Sequence, residues 1–370
     1  MIELENVSKI FQDGTVAVQD VSFHVEKGEL CVLLGPSGCG KTTTMKMINR
    51  LVSISKGRIL VNGMDIYDFQ DTELRRQIGY AIQEVGLFPH MTVGENIEVV
   101  PELRGWAKNK RRDRAAMLLE MVKLPPEFID RYPKELSGGQ RQRIGVARAL
   151  GADPEVLLMD EPFGAIDPIT RVDLQNEFLK IQQDIRKTIV FVTHDIYEAI
   201  KMGDKIALMN EGELVQFDTP FNILFQPSDS FVSSFVGRDR ALKGLQLIKG
   251  KEVMREVELS IGPSETVQEL KGRLSPDQIR DELPVVGQDG KFLGFIDLNK
   301  AQGGKVQDHL THTEAASNMD IVLDEALSVM LSGERNVLAL LDHESRLQGL
   351  LAFSDIQRAL SEADQWRDSL

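Results

Sequence analysis

Cysteine is almost missing. The 370 residues hold only Cys31 and Cys39, which excludes a disulfide framework and fits a reducing compartment. Also missing is any apolar run close to the ~20 residues that a membrane helix needs, so the chain is not expected to cross a membrane unaided. The opening MIELENVSK carries no apolar signal segment. A surplus of basic charge is absent too. The net charge is −14, and residues 241–370, with 14 Lys+Arg against 22 Asp+Glu, contribute −8 of it. Such a chain is a poor candidate for sequence-independent nucleic-acid binding, which draws on cationic side chains. At this length two or three domains with substantial cores are expected.

What is present begins with strands. Residues 2–34 read as strands: Val21, Phe23 and Val25 alternate with polar neighbours, the pattern of a half-buried strand. Three nearly unbroken apolar runs, ELCVLL, EVLLMD and TIVFVT, suit strands buried on both faces. Between Gln83 and Ser137 the segment NKRRDRAAMLLEMVKL is rich in helix-forming residues and predicts a helical insertion in an α/β core. The core is expected to end near Gly237, followed by a linker. The remainder repeats itself: LPVVGQDGKFLGFIDL and LALLDHESRLQGLLAFSDI place Gly294 and Gly349, 55 residues apart, after a short polar turn. Two similar units predict a pair of small related domains.

The strongest motif is GPSGCGKTT, Gly35–Thr43. It fits G-x-x-x-x-G-K-[ST], in which loop N–H groups wrap phosphates, a lysine (Lys41) neutralises the outer ones and a hydroxyl (Thr42) ligates Mg²⁺. The buried-type strand before it and the helix after it favour this over a glycine turn with a surface lysine. VLLMDEP ends a strand in Asp160 and Glu161, at the strand end where α/β sheets bind ligands. Asp160 is expected to hold Mg²⁺ and Glu161 to polarise the attacking water as general base; a plain acidic turn is the alternative. His194, Gln83 and Phe11 each admit a structural reading when taken singly. One puzzle remains. KELSGGQRQRIGVARAL opens a helix with Ser137, Gly138 and Gly139, a second place where main-chain N–H groups could meet an anion.

Taken as a set, Phe11, Gly35–Thr43, Gln83, Leu136–Gln140, LLMDEP, GAID at Gly164–Asp167 and His194 stand in an order that resembles the ATP-binding cassette of ABC transporters. The resemblance covers about residues 1–237. It implies an α/β fold, an ABC-type nucleotide-binding domain with a RecA-like core, an antiparallel β subdomain and a helical subdomain. It also implies that ATP sits on Gly35, Pro36, Ser37, Gly38, Cys39, Gly40, Lys41, Thr42 and Thr43, with Phe11 stacked on adenine. Thr42, Gln83 and Asp160 then serve Mg²⁺. Glu161, His194 and Gln83 carry the chemistry, His194 holding the γ-phosphate and Gln83 also contacting the membrane partner. Ser137, Gly138, Gly139 and Gln140 cap the ATP held by the other chain of a head-to-tail homodimer, which accounts for the second anion site. Asp167, in GAID where the family more often has Ser-Ala-Leu-Asp, keeps the aspartate of the nucleotide site.

A narrower likeness lies in PSGCGKTTTMKMINRL, VGLFPHMTV and EPFGAIDPITR, which are similar to the ATPases of bacterial importers for glycine betaine, choline, carnitine and related osmoprotectants. That likeness implies a peripheral subunit on the cytoplasmic face of the inner membrane. Its partners are a membrane permease and an extracytoplasmic substrate-binding protein, with no nucleic acid. It also implies a tandem CBS pair over 252–366, about 252–308 and 309–366, after a linker at 238–251. CBS repeats bind adenosine through G-h-h-[ST]-x-x-D. Here Asp297 and Lys300 replace the hydroxyl and acid after Gly294, and Ala352 replaces the hydroxyl after Gly349 while Asp355 is kept. A regulatory tail using other surfaces is therefore expected. The alternatives are an importer ATPase for another solute such as an amino acid, a polyamine or iron, a DNA-repair or chromosome ATPase, and a nucleotide-sensing CBS module. The tail disfavours the first. The ~95-residue spacing between cradle and signature, with no heptads and no CxxC, disfavours the second, and intact Glu161 and His194 disfavour the third.

Overall fold

A computed structural model of the chain describes residues 1–82, 86–164, 166–257, 259–275, 282–311 and 315–361. It divides into two compact units, Met1–Phe235 and Val236–Leu370.

In the first unit, β1 (Ile2–Ile10), β2 (Val16–Val25) and β3 (Leu30–Leu34) come first, and α1 (Lys41–Ile48) follows the glycine loop. Next are β4 (Lys56–Val61), β5 (Met64–Asp65), α2 (Asp71–Gln77) and β6 (Ile78–Ala81). The expected helical insertion is there as α3 (Val93–Leu103), α4 (Lys108–Met121) and two short 3₁₀ turns, before α5 (Gly138–Leu150). The unit closes with β7 (Val156–Asp160), α6 (Pro168–Ile185), β8 (Thr188–Val192), α7 (Ile196–Met202), β9 (Lys205–Asn210), β10 (Glu213–Asp218), α8 (Pro220–Phe225) and α9 (Ser230–Val236).

Two sheets share this unit. One is antiparallel, in the order β2-β1-β4-β5; the other is six-stranded, β10-β9-β3-β8-β7-β6. In the larger sheet every pairing is parallel except β9–β10. The three apolar runs are its centre: every residue of β3, β8 and β7 is buried, as a parallel sheet covered on both faces requires. The amphipathic β1, β2 and β4 give their inward residues, among them Ile2, Leu4, Val21, Val25 and Ile59, to one core with Met45 and Ile48 of α1. The helical insertion is held by caps. Thr92 and Glu95 form a capping box at α3. Fully buried Asn96 bonds through its side chain to the Phe88 N–H and the Phe88, Met91 and Thr92 carbonyls, fixing the loop ahead of that helix.

The second unit carries two related hairpins. β11 (Leu283–Val286) pairs with β12 (Phe292–Ile296), and β14 (Val337–Leu341) with β15 (Leu347–Ala352), each antiparallel. Gly294 faces Val285 in the first and Gly349 faces Leu340 in the second, so the spacing seen in the sequence maps onto equivalent strand positions. β13 (Ala316–Asn318) adds to the second hairpin in parallel. α12 (Val267–Arg273) shares a core with the first hairpin; α13 (Leu323–Ser332) and α14 (Phe353–Ser361) share one with the second.

The expected linker at 238–251 is instead folded. It forms α10 (Arg240–Gly244) and enters α11 (Gly250–Val253), and it buries Leu245 and Ile248 with Leu323, Leu340 and Leu351. Its apolar residues stabilise the second unit on burial, and this places them in that unit's core. Val253 belongs to the same cluster, so the stretch near 252 completes the second hairpin's half. The first half's core starts later, at Ile261. Since among the described residues no strand of the two large sheets lies beyond Asp218, a chain ended after Gly237 is expected to fold. Scanning calorimetry should give one cooperative transition; strong binding of a hydrophobic dye by a chain without near-ultraviolet dichroism would show that the first unit needs the second.

Candidate active site

The loop from β3 into α1 is shaped by atoms it lacks. A Cβ on Gly35 would lie 2.1 Å from the Met209 carbonyl oxygen, and one on Gly40 would lie 2.5 Å from that of Ala17. Both glycines also have positive φ, +146° and +105°, so only glycine fits. The loop is thereby clamped between β9 and β2. Lys41 is buried, and its ammonium turns back to donate to the Gly35 and Pro36 carbonyls at 2.7 and 2.8 Å, 3.8 Å from Cys39 Sγ. The N–H groups of the first turn of α1 have no acceptor within the helix and carry its positive end. Ser37 and Gly38 are exposed at the loop's crest, and Thr42 and Thr43 are half-buried.

Across the sheet, β7 ends in Asp160, which accepts a hydrogen bond from the Thr42 hydroxyl at 3.0 Å. Burial pushes its carboxyl above the ordinary range; the Thr42 hydroxyl opposes this, Glu161 adds to it, and Lys46 and Lys41 oppose it. A buried carboxylate beside a hydroxyl is a hard-oxygen pair. Such hard oxygen donors fit Mg²⁺. That ion uses one or two protein ligands and completes its shell with phosphate and water.

Glu161 follows in the left-handed region, φ +45°, uncommon for a residue with a side chain. Its N–H donates to Val192 O, and its carbonyl accepts from Gly164 N–H and from Nε2 of Gln142 on α5. Its Oε1 lies 3.1 Å from Nδ1 of His194, just past the end of β8. His194 is itself framed: the Thr193 hydroxyl donates to Glu198 at 2.6 Å and accepts from the Asp195 N–H, while Gln175 of α6 donates to the other oxygen of Glu198. Burial raises the carboxyl of Glu198, partly offset by that hydroxyl.

The carboxyl ends of adjacent β3, β8 and β7 thus bring together the cradle, Thr42, Asp160, Glu161 and His194. Phe11 stands apart at the β1–β2 turn, half exposed, with Lys9 over its ring at 5.1 Å. Ser137 and Gln140 face each other in a capping box at the start of α5. Among the described residues, a Cβ on Gly138 would meet nothing within 4 Å, so no described neighbour demands glycine there. Asp167 caps α6 by accepting from the Thr170 N–H, which lowers its carboxyl below the usual range. Gln83 lies outside the described residues. The sequence reading missed Gln142, Thr193, Glu198 and Gln175. Their signal is weak: Gln142, Gln175 and Glu198 are polar side chains at buried helical positions and Thr193 ends an apolar strand run, so each is visible only once the packing is known.

A family model described as ABC transporter matches residues 18–164. Among curated proteins, the chain is 45% identical to the osmoprotectant import ATP-binding protein OsmV of Salmonella typhimurium, over 98% of this chain and 96% of that one. It is 44% identical to the carnitine transport ATP-binding protein OpuCA of Listeria monocytogenes, over 95% and 90%. To the choline transport ATP-binding protein OpuBA of Bacillus subtilis it is 49% identical, over 80% and 78%. Among solved structures, a dimeric bacterial ABC transporter cassette matches 60% of this chain and 99% of its own, with 34% identity and a TM-score of 0.56. A cassette dimer in a post-hydrolysis state with ADP and Pi matches equally well in coverage and TM-score. Motif order, sheet topology and full-length identity agree, and the chain belongs to the ABC transporter family as an ATP-hydrolysing, ATP-binding subunit, in the branch that holds OsmV, OpuCA and OpuBA.

Proposed function

We propose that this subunit powers uptake of a quaternary-amine osmoprotectant (glycine betaine, choline, carnitine or a close relative) through a separate membrane permease, fed by an extracytoplasmic binding protein. The names of the relatives support the substrate class. Among the described residues no helix is long and apolar enough to cross a membrane, and the permease supplies the passage. In this reading the subunit sits on the cytoplasmic face.

The observation that carries the reading is the contact of Glu161 with His194 beside the Thr42–Asp160 pair, all at one edge of the sheet. Gly35–Thr43 hold the phosphates through main-chain N–H groups, and Lys41 exchanges its loop carbonyls for phosphate oxygens. Phe11 stacks on the adenine. Thr42 and Asp160, with Gln83, hold Mg²⁺, which when bound neutralises charge developing on the phosphates. Glu161 takes a proton from the attacking water, and His194, already against that carboxylate, holds the γ-phosphate. Ser137–Gln140 and Asp167 complete the site of a second chain. The open space over Gly138 supports this, because a phosphate from outside the chain can reach the helix N-terminus there.

For the tail we propose a CBS-type pair with a regulatory role, supported by the repeated hairpins. Asp355, the acid kept from the adenosine motif, is fully buried and accepts from Arg255, Arg358 and the Ala352 N–H. Its oxygens are taken up by the fold, which disfavours a ribose-binding role for it.

Two substitutions separate binding from chemistry. Glu161→Gln should lower turnover by roughly 10²-fold or more, the range of a general base, while ATP still binds and traps a dimer on size exclusion; retained turnover would remove Glu161 from that role. Lys41→Ala should instead weaken ATP binding by about 10- to 100-fold, equivalent to the ~1.5–3 kcal/mol of a hydrogen bond to a charged group, as read by calorimetric titration. Reconstituted with its permease and binding protein, the wild-type chain should hydrolyse ATP faster when carnitine, choline or betaine is supplied; stimulation by an amino acid or polyamine alone would redirect the substrate assignment.

A further inference from the structure

Helix α5 begins with the residues proposed to cap the partner's nucleotide, Ser137–Gln140. Barely a turn later it carries Gln142, whose side chain is almost wholly buried and whose Nε2 donates at 3.1 Å to the main-chain oxygen of Glu161. Among the described residues, three contacts grip the Glu161 main chain: Val192 O takes its N–H, while Gly164 N–H and Gln142 reach its carbonyl. The first two contacts come from the sheet and from the turn itself. Gln142 alone of the three belongs to the helical segment inserted between β6 and β7.

The conformation being held is a disfavoured one. With φ at +45°, Glu161 keeps its geometry only while its surroundings over-determine it. The carbonyl and the side chain share one Cα, so a turn of that peptide re-aims the carboxylate that meets His194. A donor fixed on a rigid helix resists such a turn, and its grip depends on where the helix lies.

We propose that Gln142 is a positioning residue for the hydrolytic carboxylate: it ties the orientation of Glu161 to the placement of α5. One helix then serves both nucleotides of a dimer. Its N-terminus meets the partner's phosphate, and its Gln142 aims the base at this chain's own. The order of events that follows is capture first, alignment second. This rests on the reading of Glu161 as base and of α5 as the capping helix.

The test uses the full-length chain with Gln142→Met, which keeps the length and bulk and loses the donor. Turnover should fall by roughly tenfold or more, the scale of a small misplacement of a reacting group. The KM for ATP should stay within about twofold, because no phosphate contact is touched. In a Glu161→Gln background, ATP should trap the dimer equally well with Gln or Met at 142. Unchanged turnover in Gln142→Met would overturn the proposal. So would a parallel loss of turnover, ATP affinity and dimer trapping, which would mean that the amide only supports the packing of α5. Failure of the underlying reading looks different: Glu161→Gln alone would then retain wild-type turnover.

Discussion

Full burial of three neighbouring strands, β3, β8 and β7, governs what the rest of the first unit can do. With both faces covered, these strands have no room for polar side chains along their length, so polar groups collect where the strands end. At the carboxyl edge the chain must turn, and its main-chain groups come free of the ladder. Asp160, Glu161, His194 and the cradle sit at this edge because the sheet excludes them from elsewhere. Their mutual contacts, Thr42 with Asp160 and Glu161 with His194, bridge turns that are far apart in sequence and adjacent in the sheet.

Much of this was legible beforehand, for a physical reason. Strands buried on both faces need unbroken apolar runs, and a phosphate cradle needs glycines where Met209 and Ala17 leave no room for a side chain. Neither pattern survives with other residues, so each leaves a strong trace. The tail's hairpins were visible because both keep a glycine at the same strand position. Gln142, Glu198 and Gln175 left no such trace. A buried amide or carboxylate looks like any polar helix residue until its partner is known, and Gln142 and Gln175 meet theirs, Glu161 and Glu198, only across the packed fold. The supposed linker misled as well. No strand or helix pattern marked it, whereas Leu245 and Ile248 decide the outcome by burial.

The two units use acid side chains differently. In the first, Asp160 is buried beside a hydroxyl, and burial disfavours its charge, so a cation arriving there is favoured. In the second, Asp355 is buried more completely yet meets two guanidinium groups and a main-chain N–H. That carboxylate is already neutralised and hydrogen-bonded, as buried charges must be. The same residue type is left short of cationic partners in one place and fully compensated by them in the other. Charge type and spacing alone do not separate these cases, because the difference lies in what else reaches the oxygens.

Lys41 has one more consequence. Its ammonium is already satisfied by the Gly35 and Pro36 carbonyls. Under the proposed assignment, phosphate binding at this lysine is an exchange of acceptors, in which neutral carbonyls give way to charged and stronger phosphate oxygens. When phosphate departs, the two carbonyls are close enough to take the ammonium back. An intramolecular competitor of this kind lowers the barrier to release. For a motor that must cycle, rapid emptying matters as much as tight filling, and the competitor is built into the loop that does the filling.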